Sequence, residues 1–284
     1  MRRAVVTGAS ALVTLVIAAQ LPLTLDTTFR TAITWGYVGD ALPMPDGTVW
    51  FTGGFSVDNL SPELDWGRFL HTGAIDPLVP FGGVSGSIVP TGEYYYVSGA
   101  AQPARYFLTG LPDYSYHVGN ANQPSPGFGG GNHGDIHIQA DGKVVEVGDW
   151  LMHGSWGENA AGYYSIVRLN TDAVLDSTFQ FRKTDGVIWS LEPLSDGRFL
   201  ASGVFSTYEG TPVGRVIRLN ADYSLDTTYH SPITRGYAEC FIHQPDGKVI
   251  MGGQFVLGSD PDTLHFLRTL PDGALDPSFN NHTE

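Results

Sequence analysis

The residue types most capable of chemistry sit near the middle of the chain, where His133, Asp135 and His137 are followed by His153. On an extended strand side chains alternate between faces, so residues 133, 135 and 137 would share one face as a metal site requires. The zinc-enzyme pattern instead sets two histidines on one helical face in a His-Glu-x-x-His run, and this chain has none. Solvent-facing or core histidines are therefore the expectation, with any metal left unknown. Around them lie two long irregular stretches. Residues 119–134 are rich in Gly and Pro and carry Asn122 and Gln123, and residues 150–162 carry Trp150, His153 and Trp156. Aromatic faces beside amide and acidic groups suit sugar rings, and long loops on a rigid scaffold are where binding resides. A linker with buried tryptophans is the competing expectation. No Gly-x-Ser-x-Gly elbow, phosphate-binding loop or dinucleotide fingerprint is present. A carboxylate pair for glycoside cleavage stays open, because such pairs assemble in space.

Composition narrows the elements that could hold these groups. The chain of 284 residues has 36 Gly, 18 Pro and 12% aromatics against 15% charged residues, a turn-rich β profile. Its 29 acidic and 15 basic residues leave a net charge of −14, which repels a phosphate backbone and argues against nucleic acid as a partner. That acidity serves solubility, and no cofactor is expected; loops of this kind also supply the oxygen ligands that Ca²⁺ takes. Cys240 is the single cysteine, so no disulfide forms within the chain, and its neighbours Phe241 and Ile242 favour an inert thiol.

Two landmarks repeat. Leu-Asp-x-x-Phe or a variant starts at Leu25, Ile75, Leu175, Leu225 and Leu275, with a decayed copy at Tyr116-His117, mostly 50 residues apart. An Asp-Gly turn recurs at Asp46, Asp141, Asp196 and Asp246, with Thr91-Gly92 in the missing place. Asp-Gly between apolar runs marks a hairpin whose two central residues both take positive φ. A third strand such as 213–220 follows a variable loop, and the Leu-Asp-x-x-Phe stretch reads as a short fourth. Periods of this length with four strands each are propeller blades, and the absence of helical periodicity excludes bundles. The fold class is thus all-β, a β-propeller of about five four-stranded blades, with repeats at about 25–74, 75–115, 116–174, 175–224 and 225–279.

The pattern Pro245-Asp246-Gly247-Lys248, then Gly252-Gly253-Gln254-Phe255, together with Arg218-Leu219-Asn220 running through to Tyr229, resembles the delta-60 repeat. That family comprises β-propeller repeats of bacterial secreted and surface proteins. The resemblance covers about Leu25 to Phe279, with the unit at 75–117 decayed. It implies a propeller and a secreted or cell-surface location, and it carries no catalytic motif. Met1-Arg2-Arg3 before an apolar run to Ala19 reads as a signal peptide over residues 1–20, or as an uncleaved membrane anchor, leaving 21–284 as the propeller. A rival reading overlays Val16-Ile17 to Phe29 on Val216-Ile217 to Tyr229, which would make residues 4–20 part of a blade.

Arg168, Arg218 and Arg268 each precede the motif's aspartate by eight residues, at Asp176, Asp226 and Asp276. One spacing in three blades points to a repeated structural ion pair. In the two earlier units the arginine position is taken to hold His71 and Thr109, so those blades are expected to close differently. Alignment on the turns places Asp40, Ser85, Asp135, Ser190 and Cys240 at one position of the innermost strand. These are either a polar ring near one channel mouth, with Glu239 beside it, or small residues needed where blades crowd the axis. Three functions follow: an extracellular non-enzymatic scaffold binding a glycan or protein, a carbohydrate-active hydrolase or lyase using Asp40, Asp135 and Glu239 at the channel mouth, or a structural subunit of a larger assembly.

Overall fold

The computed structural model describes residues 27–30, 33–57, 64–79, 86–98, 103–116, 127–128, 133–152, 163–258 and 262–279. Residues 1–20, and with them the leader and partial-blade readings, lie outside the described residues, as do Asn122, Gln123, His153, Trp156 and Ser85. Five antiparallel sheets follow one another along the chain. The first holds β1 (Ile33–Pro43), β2 (Val49–Val57) and β3 (Leu64–Phe69). The second holds β4 (Ile88–Pro90), β5 (Tyr94–Val97) and β6 (Ala104–Phe107). The third holds β7 (Gly127–Phe128), β8 (His133–Ile138), β9 (Val144–Met152) and β10 (Tyr163–Leu169). The fourth combines β11 (Val187–Pro193) and β12 (Phe199–Val204) with β15 (Val216–Leu219), and a hairpin of β13 (Thr207–Tyr208) and β14 (Thr211–Pro212) projects from it. β16 (Ile233–His243), β17 (Val249–Leu257) and β18 (Leu264–Thr269) make the fifth. There is no helix among the described residues. The fold is an all-β propeller.

The fourth strand of each unit is shorter than its sequence suggests. It shrinks to one antiparallel bridge: Phe69 to Ile75, Tyr106 to Pro112, Leu169 to Leu175, Leu219 to Leu225 and Thr269 to Leu275. The next residue in each case is the motif aspartate, whose side chain turns inward and ends the ladder. The Asp-Gly hairpins also differ from the two-residue type. Gly247 N donates to Gln244 O and Gln244 N to Lys248 O, both at 2.9 Å, enclosing a three-residue loop in which Gly247 takes φ of +80°. The chain closes with one left-handed glycine in place of the positive-φ pair of a two-residue turn. The same bonds recur at Met44, Gln139 and Leu194.

The core is divided among the seams between sheets. Trp50, Trp66 and Tyr95 fill the first seam, Tyr96, Tyr116 and Val144 the second, Ile188, Phe199 and Tyr223 the third, and Leu200, Tyr229 and Met251 the fourth. Alternation along the middle strand produces this division: on β9, Val144 points to the sheet before and Val145 to the sheet after. The inner strands pack in chain order, β1 on β4, β4 on β8, β8 on β11 and β11 on β16. Val38 of β1 is 45% exposed, whereas its counterparts Ile188 and Ala238, each covered by a preceding sheet, are fully buried.

Candidate functional site

The repeated polar residues are consumed in joining strands and sheets. Arg168, Arg218 and Arg268 donate through Nε to Oδ2 of Asp176, Asp226 and Asp276 at 2.9, 2.7 and 2.9 Å. The earlier units do the same, contrary to the expectation from His71 and Thr109. Arg68 Nε reaches Asp76 at 2.9 Å and Arg105 Nε reaches Asp113 at 2.8 Å, again eight residues apart. In the second unit the motif is Pro112-Asp113-x-x-Tyr116, so Tyr116 is its aromatic and not its first residue. Each aspartate's other oxygen accepts from the backbone N–H two residues on, as in Asp226 Oδ1 with Thr228 N at 2.9 Å. The motif aromatic then lies under the guanidinium, with Arg168 over Phe179, Arg218 over Tyr229 and Arg268 over Phe279 at 4.8, 5.0 and 4.8 Å.

A second cation converges on three of these carboxylates. It comes from the residue after the Asp-Gly turn: Lys143 to Asp176 at 2.8 Å, Arg198 to Asp226 at 2.8 Å and Lys248 to Asp276 at 3.1 Å. The two sequence landmarks are thus in contact, which is the physical reason they share one period. Burial alone would raise the Asp226 carboxyl, but bonds from Thr228, Arg218 and Arg198 outweigh it and hold the group well below the usual carboxylate range. Asp176 behaves alike, burial being overturned by Lys143, Thr178 and Arg168. Asp276 is held low chiefly by the Ser278 hydroxyl.

The inner-strand position is also occupied structurally. Asp40 Oδ2 accepts from Ile88 N at 2.8 Å, Asp135 Oδ2 from Leu191 N at 3.3 Å, and Ser190 Oγ donates to Ala238 O at 3.4 Å. Each is a stitch to the following sheet. The register shifts between Val38 and Asp40, Ile188 and Ser190, and Ala238 and Cys240 mark bulges that turn the side chain that way. Glu239 and Cys240 are exposed. Burial pushes the Asp135 carboxyl up, opposed by bonds from Ser87 and the Leu191 amide, with Glu192 and Asp40 near enough to add to the rise.

A register shift between His133 and Ile136 interrupts the alternation, and His137 packs its ring on Phe199 of the next sheet at 4.9 Å. Among the described residues no three His, Cys, Asp or Glu side chains are grouped to hold a metal.

One end of the third sheet joins chain from both sides. β9 runs on to Met152, where it pairs on one side with β7, Gly127 opposite Met152 and Phe128 opposite Leu151, and on the other with Tyr163 and Tyr164 of β10. The stretch containing Asn122 and Gln123 and the stretch containing His153 and Trp156 are therefore tethered to the same two residues of backbone, with Trp150 adjoining on β9. Sequence reasoning missed the described aromatics there. Tyr164 meets Phe181 edge-on at 5.0 Å, and Lys183 Nζ lies over the Tyr164 ring at 4.9 Å. Their chemistry was visible; their convergence depends on the pairing of Ile166 with Arg182, which no local pattern encodes.

Radial three-to-four-stranded sheets with this seam architecture define a β-propeller. Residues 194–229 and 244–279 match the family model described as a domain of unknown function (DUF5122) beta-propeller. No curated protein matches the sequence. Among solved structures, a protein of unknown function from Bacteroides caccae aligns at 12% identity and a TM-score of 0.44, covering 85% of this chain and 81% of that one. A gluconolactonase from Xanthomonas campestris aligns at 11% identity and a TM-score of 0.48, with 86% and 76% covered. A surface component of the type-IX secretion system of Porphyromonas gingivalis aligns at 12% and 0.41, with 87% and 34% covered.

Proposed function

We propose that this chain is a secreted or cell-surface β-propeller that works as a non-enzymatic scaffold, presenting the loop end of its third sheet to a glycan or protein partner. One observation carries the reading: β7 and β10 flank Leu151 and Met152, which brings the two longest irregular stretches to one edge. Everywhere else the repeated polar groups are engaged within and between sheets. A sugar ring stacks on Trp150, Trp156 or Tyr164 through its apolar face, while Asn122 and Gln123 supply hydrogen bonds to hydroxyls. A glycan array followed by calorimetry tests this. Trp150→Ala and Trp156→Ala should each weaken binding at least about tenfold, the loss of one stacked ring, with thermal stability unchanged. A protein that binds no array member, or binds as well without the tryptophans, overturns the glycan form of the reading.

A second reading, a hydrolase or lyase at the channel mouth, is favoured by Asp135, an acid that burial pushes toward its neutral form close to Asp40. Unlike carboxyl pairs of this kind perform glycoside cleavage. Release of reducing sugar that vanishes in Asp135→Asn would support it. The scaffold reading expects no such release.

A further inference from the structure

Glu146 stands in the middle of β9, on the face directed at the second sheet, at the position held by Phe51, Ala201 and Met251 in other sheets. Those three are fully buried and apolar. Glu146 is 4% exposed, and its Oε2 has no hydrogen-bond partner. Tyr116, the aromatic that the second unit's motif inserts into this seam, is likewise buried with its hydroxyl unpartnered. Tyr116 packs in this seam with Val144, which shares its strand face with Glu146, and Glu146, Tyr96, Arg105 and Asp172 are the ionisable groups near its hydroxyl. Arg105 is committed elsewhere, to Asp113 at 2.8 Å and to Tyr96 Oη and Thr171 O at 3.3 Å each. Among the described residues no cation is paired with Glu146, and its strand neighbours Ile136 and Val167 offer none.

We propose that Glu146 is a proton-operated lock on the seam between the second and third sheets, seated as a neutral acid in the seam that Tyr116 fills and loosening it on ionisation. A buried carboxylate without a counter-charge is costly, whereas the neutral acid is tolerated. Burial pushes this carboxyl well above its ordinary value. A group raised on folding stabilises fully below its unfolded value and loses that contribution as pH rises through the folded one. The bond from Tyr116 N to Asp113 O, 3.1 Å long, sits where the release would occur and reports it.

Hydrogen exchange of the Tyr116 amide, corrected for base catalysis, tests the lock on the full chain. From about pH 4.3, the ordinary glutamate value, its protection should fall about tenfold per pH unit until Glu146 is ionised. In Glu146→Gln protection should be level with pH. In parallel, carboxyl NMR of protein labelled only at glutamate should show one group titrating well above the others. Equal slopes in wild type and variant overturn the proposal, as does an equal fall at the amides of Phe179 and Tyr229 in the later seams. Should the variant fail to fold, the titration decides alone: every glutamate ionising in the ordinary range overturns it.

Discussion

Arg218 and Asp226 show what a single position can be asked to do. The arginine is 8% exposed and also donates to Pro271 O at 2.6 Å and Thr228 Oγ1 at 3.0 Å, so it ties strand, motif and next sheet together. Arg218→Met should cost about 3 kcal/mol in denaturant unfolding, because Asp226 stays buried with Arg198 as its remaining cation. Arg68→Met should cost at least as much although Arg68 is 27% exposed, because Asp76 is itself buried and Arg68 is its one salt-bridge partner among the described residues. A clearly smaller cost at Arg68 than at Arg218 would show that the exposure of the arginine, and not the burial of the aspartate, sets the strength of these pairs. Glycines allow a similar comparison. A Cβ at Gly197, where φ is +83°, meets nothing within 4 Å, so Gly197→Ala isolates the left-handed backbone term at about 1–2 kcal/mol. At Gly203 the added atom would collide with Val187 O, and that substitution should unfold the fourth sheet.

At the scale of the element, the unit's period was readable because two landmarks repeat independently, and their meeting at one carboxylate shows why both persist. The second unit was misread for a physical reason. Its aromatic Tyr116 follows Pro112-Asp113, and proline in the leucine position hides a motif whose aspartate still finds Arg105. The Asp-Gly turn was placed correctly but given the wrong geometry, since three residues and not two lie between the bonded ends at Gln244 and Lys248. At the end of the third sheet the two candidate stretches were legible in the sequence, but the pairing of β7 with β9 was not, because Gly127 and Phe128 carry no strand pattern of their own. The N-terminal segment makes its own prediction. If residues 1–20 are a cleaved leader, protein recovered from its native envelope should begin near Gln20 or Leu21, whereas an intact Met1 would point to an anchor or a blade.

The whole molecule balances two sets of acids. The motif aspartates and the exposed Asp185, where bonds from Ser206 and Thr207 outweigh partial desolvation and hold the carboxyl down to about 2, are depressed on folding. Their contribution is present above the ordinary aspartate value of about 3.9 and disappears as pH falls through the folded values. Glu146 works in the opposite sense. Stability against pH should therefore peak in mildly acidic solution, with the acid limb made shallower in Asp226→Asn and the basic limb lost in Glu146→Gln; a flat profile from pH 3 to 8, roughly the span these groups cover, would contradict both. The stitches from Asp40, Asp135 and Ser190 each reach the following sheet, and Asp135 also takes a bond from Ser87 of the sheet before. Equivalent positions serving successive junctions make the units interchangeable parts. Excising residues 175–224, one full period, would bring Arg168 and its turn to the entrance of the fifth sheet in the place Arg218 now holds, so a shortened chain should still fold. Such a chain grows or shrinks by whole copies, and the number of copies becomes a trait that recombination can alter without redesigning a single contact.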